Sequence, residues 1–264
     1  MKRRTLDIAF SIGGAVFSVL LLVLGLVLKD QADFAKTYVH DQLAAQEIYF
    51  KAADKLVPEE EFQATLLESL GSQEAVDAFV AAKNLTSEAG SDCLNKYAGQ
   101  QMLTGSQAEC YAEDYIRLHA LESSIVTGTG LQITNAAGEK VDVDGVSYTY
   151  ASIGAVVTAA KAVVTDLKEN GGSEEEIAAA QKQADALQSK RIDTLLRAET
   201  LRGLLLTSYG FSIFGDKADL AATVCYIAFA LLLLLSLFGL AHAFFSKHAK
   251  DVILAVDHPA ETPA

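Results

Sequence analysis

Two long runs without a charged residue stand out along this chain, from Ile8 to Leu28 and from Leu220 to Phe245. A helix rises about 1.5 Å per residue, so each run is long enough to cross the roughly 30 Å hydrocarbon core of a bilayer. The first run is too long for the apolar stretch of a cleavable signal, and no Ala-x-Ala site follows it. The pattern therefore predicts two transmembrane helices.

Short basic flanks predict how these helices are oriented. Lys2, Arg3 and Arg4 precede the first run, and Lys247 and Lys250 follow the second. Because positively charged flanks stay inside the cell, we expect both termini to be cytoplasmic and the protein to lie in the plasma membrane. The predicted regions are a cytoplasmic N-terminus (1–7), transmembrane helix 1 (8–28), an extracytoplasmic domain (29–218), transmembrane helix 2 (219–245) and a cytoplasmic tail (246–264).

The central region has the apolar spacing of helices, with one exception. From Thr127 to Tyr150, alternating apolar residues around a turn at Asn135 to Gly138 predict a small β-hairpin. Ser173 and Glu176 form a capping box that predicts a helix start. The fold class is therefore mainly α: a helical bundle with a small hairpin between two transmembrane helices. The predicted helices are Asp30–Val57, Glu59–Leu70, Glu74–Asn84, Gln107–Ser124, Ala151–Lys168 and Ser173–Leu206.

Small side chains recur at helical spacing and predict close helix packing. Gly14 and Ser18 form one such pair, and Ser236, Gly239 and Ala243 form a stripe in the second run. These stripes would pack the two spans together or build an oligomer. A longer seam would pack on the helix that follows the first span, or on another subunit. Its members are Ile177, Ala180, Ala184, Leu187, Arg191, Thr194, Ala198, Leu201 and Leu205.

The region between the two apolar runs is strongly acidic. From Asp30 to Ala218 it has 29 Asp and Glu against 15 Lys and Arg, and the whole chain has a formal net charge of −13. Such a surface repels phosphate backbones and anionic headgroups, so we expect neither nucleic-acid binding nor electrostatic docking to anionic lipids. Partners are expected to be the bilayer and other membrane proteins.

Two of the three cysteines lie in the predicted extracytoplasmic domain. Cys93 and Cys110 would meet an oxidising compartment there, while Cys225 lies in the second span. We expect Cys93 and Cys110 to form a disulfide, worth roughly 3 kcal/mol by chain-entropy arguments. A metal site or a catalytic thiol would need further His or Cys neighbours, which the sequence does not place nearby.

Candidate metal ligands are sparse. The central region has two histidines, His40 and His119, which could meet Glu109 or Asp114 around a metal, although surface or packing roles are commoner for such residues. A segment from Asp142 to Gly145 resembles part of a calcium loop, but Lys140 stands where an EF-hand would have its first acid. We predict neither a metal nor a cofactor. Asn84-Leu85-Thr86 fits the glycosylation acceptor pattern.

No signature of nucleophilic, phosphoryl or hydride chemistry is present, so we expect no enzyme. The enzymatic alternative would place Glu109, Glu113, Asp114 and His119 on one helix beside a cleft. Glu109 and Glu113 are four positions apart and would share a helix face, where they would repel each other unless a cation or proton intervened.

Two stretches resemble a known family. They are Tyr97 to Glu109, with Tyr-Ala-Gly-Gln-Gln and Thr-Gly-Ser-Gln-Ala-Glu, and Glu199 to Thr207, with Glu-Thr-Leu-Arg-Gly-Leu-Leu-Leu-Thr. With Met1-Lys2-Arg3-Arg4 and the first span, they resemble an uncharacterised family of actinobacterial two-pass membrane proteins. Some members are labelled aromatic ring-opening dioxygenases, and such chemistry needs iron held by two His and a carboxylate.

These patterns favour a non-enzymatic, membrane-anchored protein whose extracytoplasmic helices mediate assembly. The assembly would be a homo-oligomer or an accessory subunit of an envelope complex. The alternative is a ligand-binding or sensor module that signals through a partner, which would need a pocket among the extracytoplasmic helices.

Overall fold

The computed structural model describes residues 3–135 and 137–246. Lys2, Lys247 and Lys250, on which part of the predicted orientation rests, lie outside the described residues. The chain is mainly helical and includes two long apolar helices, α1 and α9, as expected. The α-helices are α1 Arg3–Ala44, α2 Glu59–Leu70, α3 Gln73–Lys83, α4 Asp92–Tyr97, α5 Gly105–Cys110, α6 Arg117–Ser124, α7 Ile153–Glu169, α8 Glu174–Ser189 and α9 Arg197–Phe245.

Two of the junctions between helices are π-helical. The segment π1 (Tyr111–Ile116) joins α5 to α6, and the segment π2 (Lys190–Leu196) joins α8 to α9. The predicted helix Gln107–Ser124 is therefore an α-helix interrupted by a π turn. The predicted helix Ser173–Leu206 begins at the expected capping box but continues to Phe245.

The expected hairpin is present within the described residues. β2 (Gln132–Thr134) pairs antiparallel with β3 (Lys140–Asp142), and β1 (Ile125–Val126) pairs antiparallel with β4 (Val146–Ser147). The predicted turn between β2 and β3 includes position 136, which lies outside the described residues.

The chain forms two compact units, each of which includes part of α1 and part of α9. Unit 1 consists of the residues up to Tyr38 and those from Ser212 onward, and unit 2 runs from Val39 to Phe211. By length and composition, α1 and the helix ending in α9 could each cross a membrane.

In unit 1 the two helices pack through small side chains and run antiparallel. Gly14 of α1 lies against Ser236 of α9, where an added Cβ would be 2.5 Å from the serine Oγ. Gly239 lies against Ser11 in the same way. Ser18, Ser236 and Ala243 are buried. The small-residue stripes therefore pack the two long helices of one chain together, which was one of the two alternatives.

Charged pairs flank this packed interface. At one end of it, Asp219 accepts hydrogen bonds from Lys29 (3.1 Å) and Lys36 (2.8 Å), and Asp216 lies 3.3 Å from Lys36. At the other end, His242 Nδ1 lies 3.0 Å from Asp7 Oδ2. These pairs link α1 to α9 beyond the stretch of small side chains.

Unit 2 has three apolar clusters. The first packs the hairpin and α7 against α8, with Gly171 (φ +77°) in the turn between the two helices. The second gathers the end of α1, α4, α5 and the beginning of α9 around Leu43, Phe50 and Met102. The third joins α2 and α3 to α6 through Phe62 and Leu66.

The predicted continuation of α1 to Val57 is wrong, because α1 ends at Ala44. Beyond it, the backbone of residues 48–51 bonds to a distant segment instead: Phe50 N–H donates to Gln100 O, and Met102 N–H donates to Ile48 O. Phe50 and Leu56 are still buried, as their spacing indicated, but in an irregular chain.

The long seam finds its partners within unit 2. Ala184 and Leu187 are buried against α7 and the hairpin, with Ala180 packed beside them, whereas Leu201 and Leu205 belong to the second cluster with the end of α1. Ile177 and Ala198 are partly buried. One part of the seam thus packs on the end of α1, as one of the two alternatives had it, and the other part packs on α7, which the sequence did not suggest.

Candidate functional site

A completely buried carboxylate, that of Glu88, lies in the segment between α3 and α4. Its oxygens accept hydrogen bonds from Lys51 Nζ at 2.7 and 2.9 Å and from the Val57 backbone N–H at 3.0 Å. His119 Nε2 lies 2.7 Å from Glu88 Oε1. An ionised carboxylate without such partners would be costly to bury, so this set of contacts makes the position tenable.

His119 on α6 lies between two carboxylates. Its Nε2 faces Glu88, and its Nδ1 lies 3.0 Å from Glu122 Oε2, one helical turn further along. The ring meets Tyr115 edge-on, with the ring centroids 4.6 Å apart. Lys51 Nζ lies 5.1 Å from the centroid of the same tyrosine ring. We call Lys51, Glu88, His119 and Glu122 the Glu88 cluster.

The pKa values of the cluster reflect this arrangement. Burial acts to raise the pKa of Glu88, but the hydrogen bonds from Lys51, Val57 and His119 outweigh it and hold the pKa below its usual value. The hydrogen bond to Glu122 raises the pKa of His119 most, burial opposes this, and Glu88 raises it further. Burial acts to lower the pKa of Lys51, yet Glu88 and Tyr115 keep it raised. Glu88, His119 and Lys51 are therefore each stabilised in the charged form.

Local sequence explains how Glu88 is positioned. Asn84 ends α3 in a left-handed conformation (φ 50°), and Ser91 caps α4 by accepting from Leu94 N–H. Between them, Gly90 N–H donates to the Ser87 backbone and side chain. Capping at both ends and a tight turn between them fix the segment 84–91, which we call the Glu88 loop.

A cavity of about 310 Å³ lies beside the disulfide. Cys93 and Cys110 are bonded, as expected from the sequence, and both line this cavity. Glu109, Glu113 and Asp114 also line it. The structure therefore brings together three of the four residues in the enzymatic alternative, while His119 has its partners in the Glu88 cluster.

All three of these acids already have partners, and that of Glu109 is the Tyr209 side chain. Arg202 donates to Glu113 at 2.7 Å, and Ser91 Oγ donates to Asp114 at 2.5 Å. Asp114 also lies 3.2 Å from Cys93 Sγ. Arg202 Nε is buried and has no hydrogen-bond partner among the described residues. Hydrogen bonds thus hold these carboxylates in place along the cavity wall.

The candidate metal ligands are engaged elsewhere. His40 Nδ1 lies 3.1 Å from its neighbour Asp41, and His119 belongs to the Glu88 cluster. Glu109 and Asp114 line the cavity beside the disulfide. Across residues 3–135 and 137–246, no group of three or more His, Cys, Asp or Glu side chains is placed to hold a metal ion.

The calcium-like segment has a structural partner as well. Asp144 accepts hydrogen bonds from the backbone N–H groups of Thr129 and Gly130 and from the Thr129 hydroxyl. Burial acts to raise the pKa of Asp144, but these bonds outweigh it and lower the pKa. The carboxylate therefore ties the hairpin to the segment before β2.

Sequence reasoning missed Glu88, Lys51 and Lys190. Glu88 and Lys51 are 37 positions apart and lie in irregular chain, so no periodicity relates them. Lys190 Nζ donates to the backbone oxygens of Ser123 and Ile125 at 2.8 Å each, and burial lowers its pKa. Only the fold brings these groups to their partners.

Comparison of the chain with protein-family models, with curated proteins and with solved structures finds no match. Its geometry and sequence therefore carry the functional argument.

Proposed function

We propose that this chain is a two-pass membrane protein, and that its acidic central region works outside the cytoplasm as a non-enzymatic assembly module. One observation carries the proposal: unit 1 buries its small and polar side chains, such as Ser18 and Ser236, and exposes Phe10 and Phe238. Water would penalise that arrangement, because large apolar surface belongs in a core. Lipid favours it, since small residues let helix backbones approach closely.

The outward-facing surface of unit 1 is mainly apolar along both helices. Large apolar side chains are exposed along both helices, and they include Val16, Phe17, Leu20, Val23, Val27, Val224, Ile227, Leu231, Leu235 and Phe245. The ionisable pairs flank this apolar stretch, where headgroups and water would solvate them. This supports insertion of both helices across a bilayer.

The Asn84-Leu85-Thr86 acceptor allows a direct test of topology. Asn84 is exposed at the end of α3. In translation reactions with glycosylation-competent microsomes, we expect the chain to gain one glycan, because the central region would face the lumen. Asn84→Gln is the matched control and should abolish the gain. An unmodified wild-type chain that alkaline carbonate strips from the vesicles would refute the two-pass topology.

The assembly itself is more consistent with a different protein than with a second copy. The long seam packs within unit 2, and the small-residue stripes pack α1 on α9. The surfaces that suggested self-association are thus used within one chain. The remaining exterior is acidic, which favours a partner with a complementary basic surface.

Native mass spectrometry in mild detergent, combined with crosslinking, tests this proposal. We expect a stoichiometric complex with another membrane or envelope protein, which dissociates as ionic strength rises because charge complementarity holds it. A monomer without stoichiometric partners at low ionic strength would contradict the assembly role. A homo-oligomer would retain that role but exclude the accessory-subunit form.

The cavity beside the disulfide favours a second candidate, a ligand-binding module. Its lining by Glu109, Glu113 and Asp114 would suit a small organic cation. Putrescine is a suitable probe, with acetate as the control. A rise in melting temperature with putrescine that Glu109→Gln removes would support this candidate, and no rise would exclude it for diamines.

A further inference from the structure

The hydrogen-bond geometry of the Glu88 cluster depends on the protonation state of His119. Both ring nitrogens of His119 lie within hydrogen-bond distance of carboxylate oxygens, at 2.7 Å from Glu88 and 3.0 Å from Glu122. An ionised carboxylate only accepts hydrogen bonds, and a neutral imidazole has a single N–H. Only the imidazolium form of His119 can donate to both partners.

We propose that His119 is a pH-sensitive latch, which in its protonated form holds the Glu88 loop against α6 and releases the loop when it loses its proton. The bridge joins Glu88 in the loop to Glu122 on α6, the helix that includes His119. Deprotonation would leave one ring nitrogen with a lone pair facing a carboxylate. The contact would change from attractive to repulsive at a distance where charges interact strongly.

The charges of the Glu88 cluster balance when His119 is protonated. Two cations, Lys51 and His119, face two anions, Glu88 and Glu122. Losing the His119 proton would leave one negative charge uncompensated around a fully buried carboxylate, which is unfavourable.

Other titratable groups on neighbouring elements contact the Glu88 loop or its surroundings at other atoms, and Glu59 of α2 hydrogen-bonds with Ser87 of the loop. Arg117 donates to the backbone oxygens of Lys83 and Asn84 and pairs with Glu113, while Asp114 accepts from Ser91. Lys190, from π2, donates to the backbone at the end of α6. Tyr115 and Tyr111 are also neighbours of the cluster, and burial raises the pKa of Tyr111 to about 12, so it stays neutral.

The direction of the pH effect follows from linkage. The pKa of His119 is raised in the folded state, so its contribution is complete below the unfolded value of roughly 6.5 and is lost as pH rises through the folded value. The pKa of Glu88 is lowered, so its contribution is lost only as pH falls through that lowered value. The latch is closed between these limits and opens on the alkaline side.

Opening of the His119 latch would also affect the cavity beside the disulfide. Ser91, at the end of the Glu88 loop, donates to Asp114 in the cavity wall and caps α4, which includes Cys93. Release of the loop would therefore loosen one wall of that cavity. The latch couples extracytoplasmic pH to the exposure of this surface.

Hydrogen exchange of the full-length protein in detergent micelles tests the latch. After correction for intrinsic rates, we expect protection of amides 85–91 to fall between pH 6 and pH 9, by up to about tenfold per pH unit as for one proton. His119→Gln should remove this pH dependence. His40→Gln is the matched control, because His40 is exposed and its ring nitrogen lies beside Asp41 of its own helix, and it should keep the wild-type profile.

A second variant keeps the test decisive if His119→Gln does not fold. Glu122→Gln removes the partner that raises the pKa of His119 most, while an amide at that position can still donate to a neutral ring. We expect its opening transition to move to lower pH. Wild-type protection that is constant from pH 6 to pH 9 would overturn the proposal. So would an unchanged transition in a folded His119→Gln or Glu122→Gln variant.

Discussion

Gly14 of α1 packs directly on Ser236 of α9, so closely that a Cβ at Gly14 would lie 2.5 Å from the serine Oγ. The neighbouring Gly13 has no atom within 4 Å of the equivalent position. Two adjacent glycines therefore differ in what they contact, and this difference separates the effects of packing from those of helix propensity.

Gly14→Leu should destabilise unit 1 by about 1–3 kcal/mol, because the larger side chain forces the two helices apart or into strained rotamers. Reversible unfolding in mixed micelles measures the effect. Gly13→Leu is the control and should be neutral or slightly stabilising, since its side chain would point away from α9. Equal losses in both variants would contradict the observed interface.

Asp219 accepts from two lysines, Lys29 and Lys36, whereas Asp216 contacts Lys36 alone. Asp219→Asn should therefore lower the unfolding midpoint of unit 1 more than Asp216→Asn does. The loss should shrink at high ionic strength because these groups are partly exposed. If Asp216→Asn lowered the unfolding midpoint more than Asp219→Asn, the assignment of Asp219 as the residue that bridges two lysines would be contradicted.

The disulfide should stabilise unit 2 substantially. Cys93 and Cys110 are 17 positions apart, and a cross-link that closes a loop of this size destabilises the unfolded state by roughly 3 kcal/mol through lost chain entropy. Replacing both by serine should reduce the free energy of unfolding of unit 2 by about that amount, as measured by denaturant titration. Cys225→Ser, which removes the free thiol, is the control and should leave unit 2 unchanged.

Lys190 acts as a donor for the end of α6, whose last carbonyls have no helical partner. Lys190→Met should cost about 1–3 kcal/mol, since the oxygens of Ser123 and Ile125 lose a charged donor while an apolar stem of similar length remains. Thermal unfolding of unit 2 measures it. Lys182→Met, at an exposed position of α8, should have little effect.

Local signals in the sequence predicted many helix boundaries well. α2 lies between Pro58 and Gly71, and Gly71 adopts the left-handed conformation (φ +81°) that ends a helix. Ser173 and Glu176 form both bonds of the predicted capping box. These signals succeed because each cap is made by residues within one or two helical turns of the boundary.

Boundaries set by distant partners were not predictable in the same way. α1 ends at Ala44 although apolar spacing continues, because residues 48 and 50 exchange backbone hydrogen bonds with residues 100 and 102. The candidate site had the same limitation. His119 was recognisable as a titratable group, but Glu88 stands among Ser and Gly residues typical of a loop, and only tertiary contacts reveal that it is fully buried.

The π turn at Lys190–Leu196 has a consequence for how unit 2 is built. A π turn takes up one extra residue, and one residue corresponds to about 100° around a helix. Upstream, Ala184 and Leu187 therefore face one apolar cluster, while downstream Leu205 faces another. The continuous helix formed by α8, π2 and α9 thus contributes side chains to two separate apolar clusters. The one extra residue of the π turn therefore sets the angle about the helix axis between the side chains that enter the two clusters.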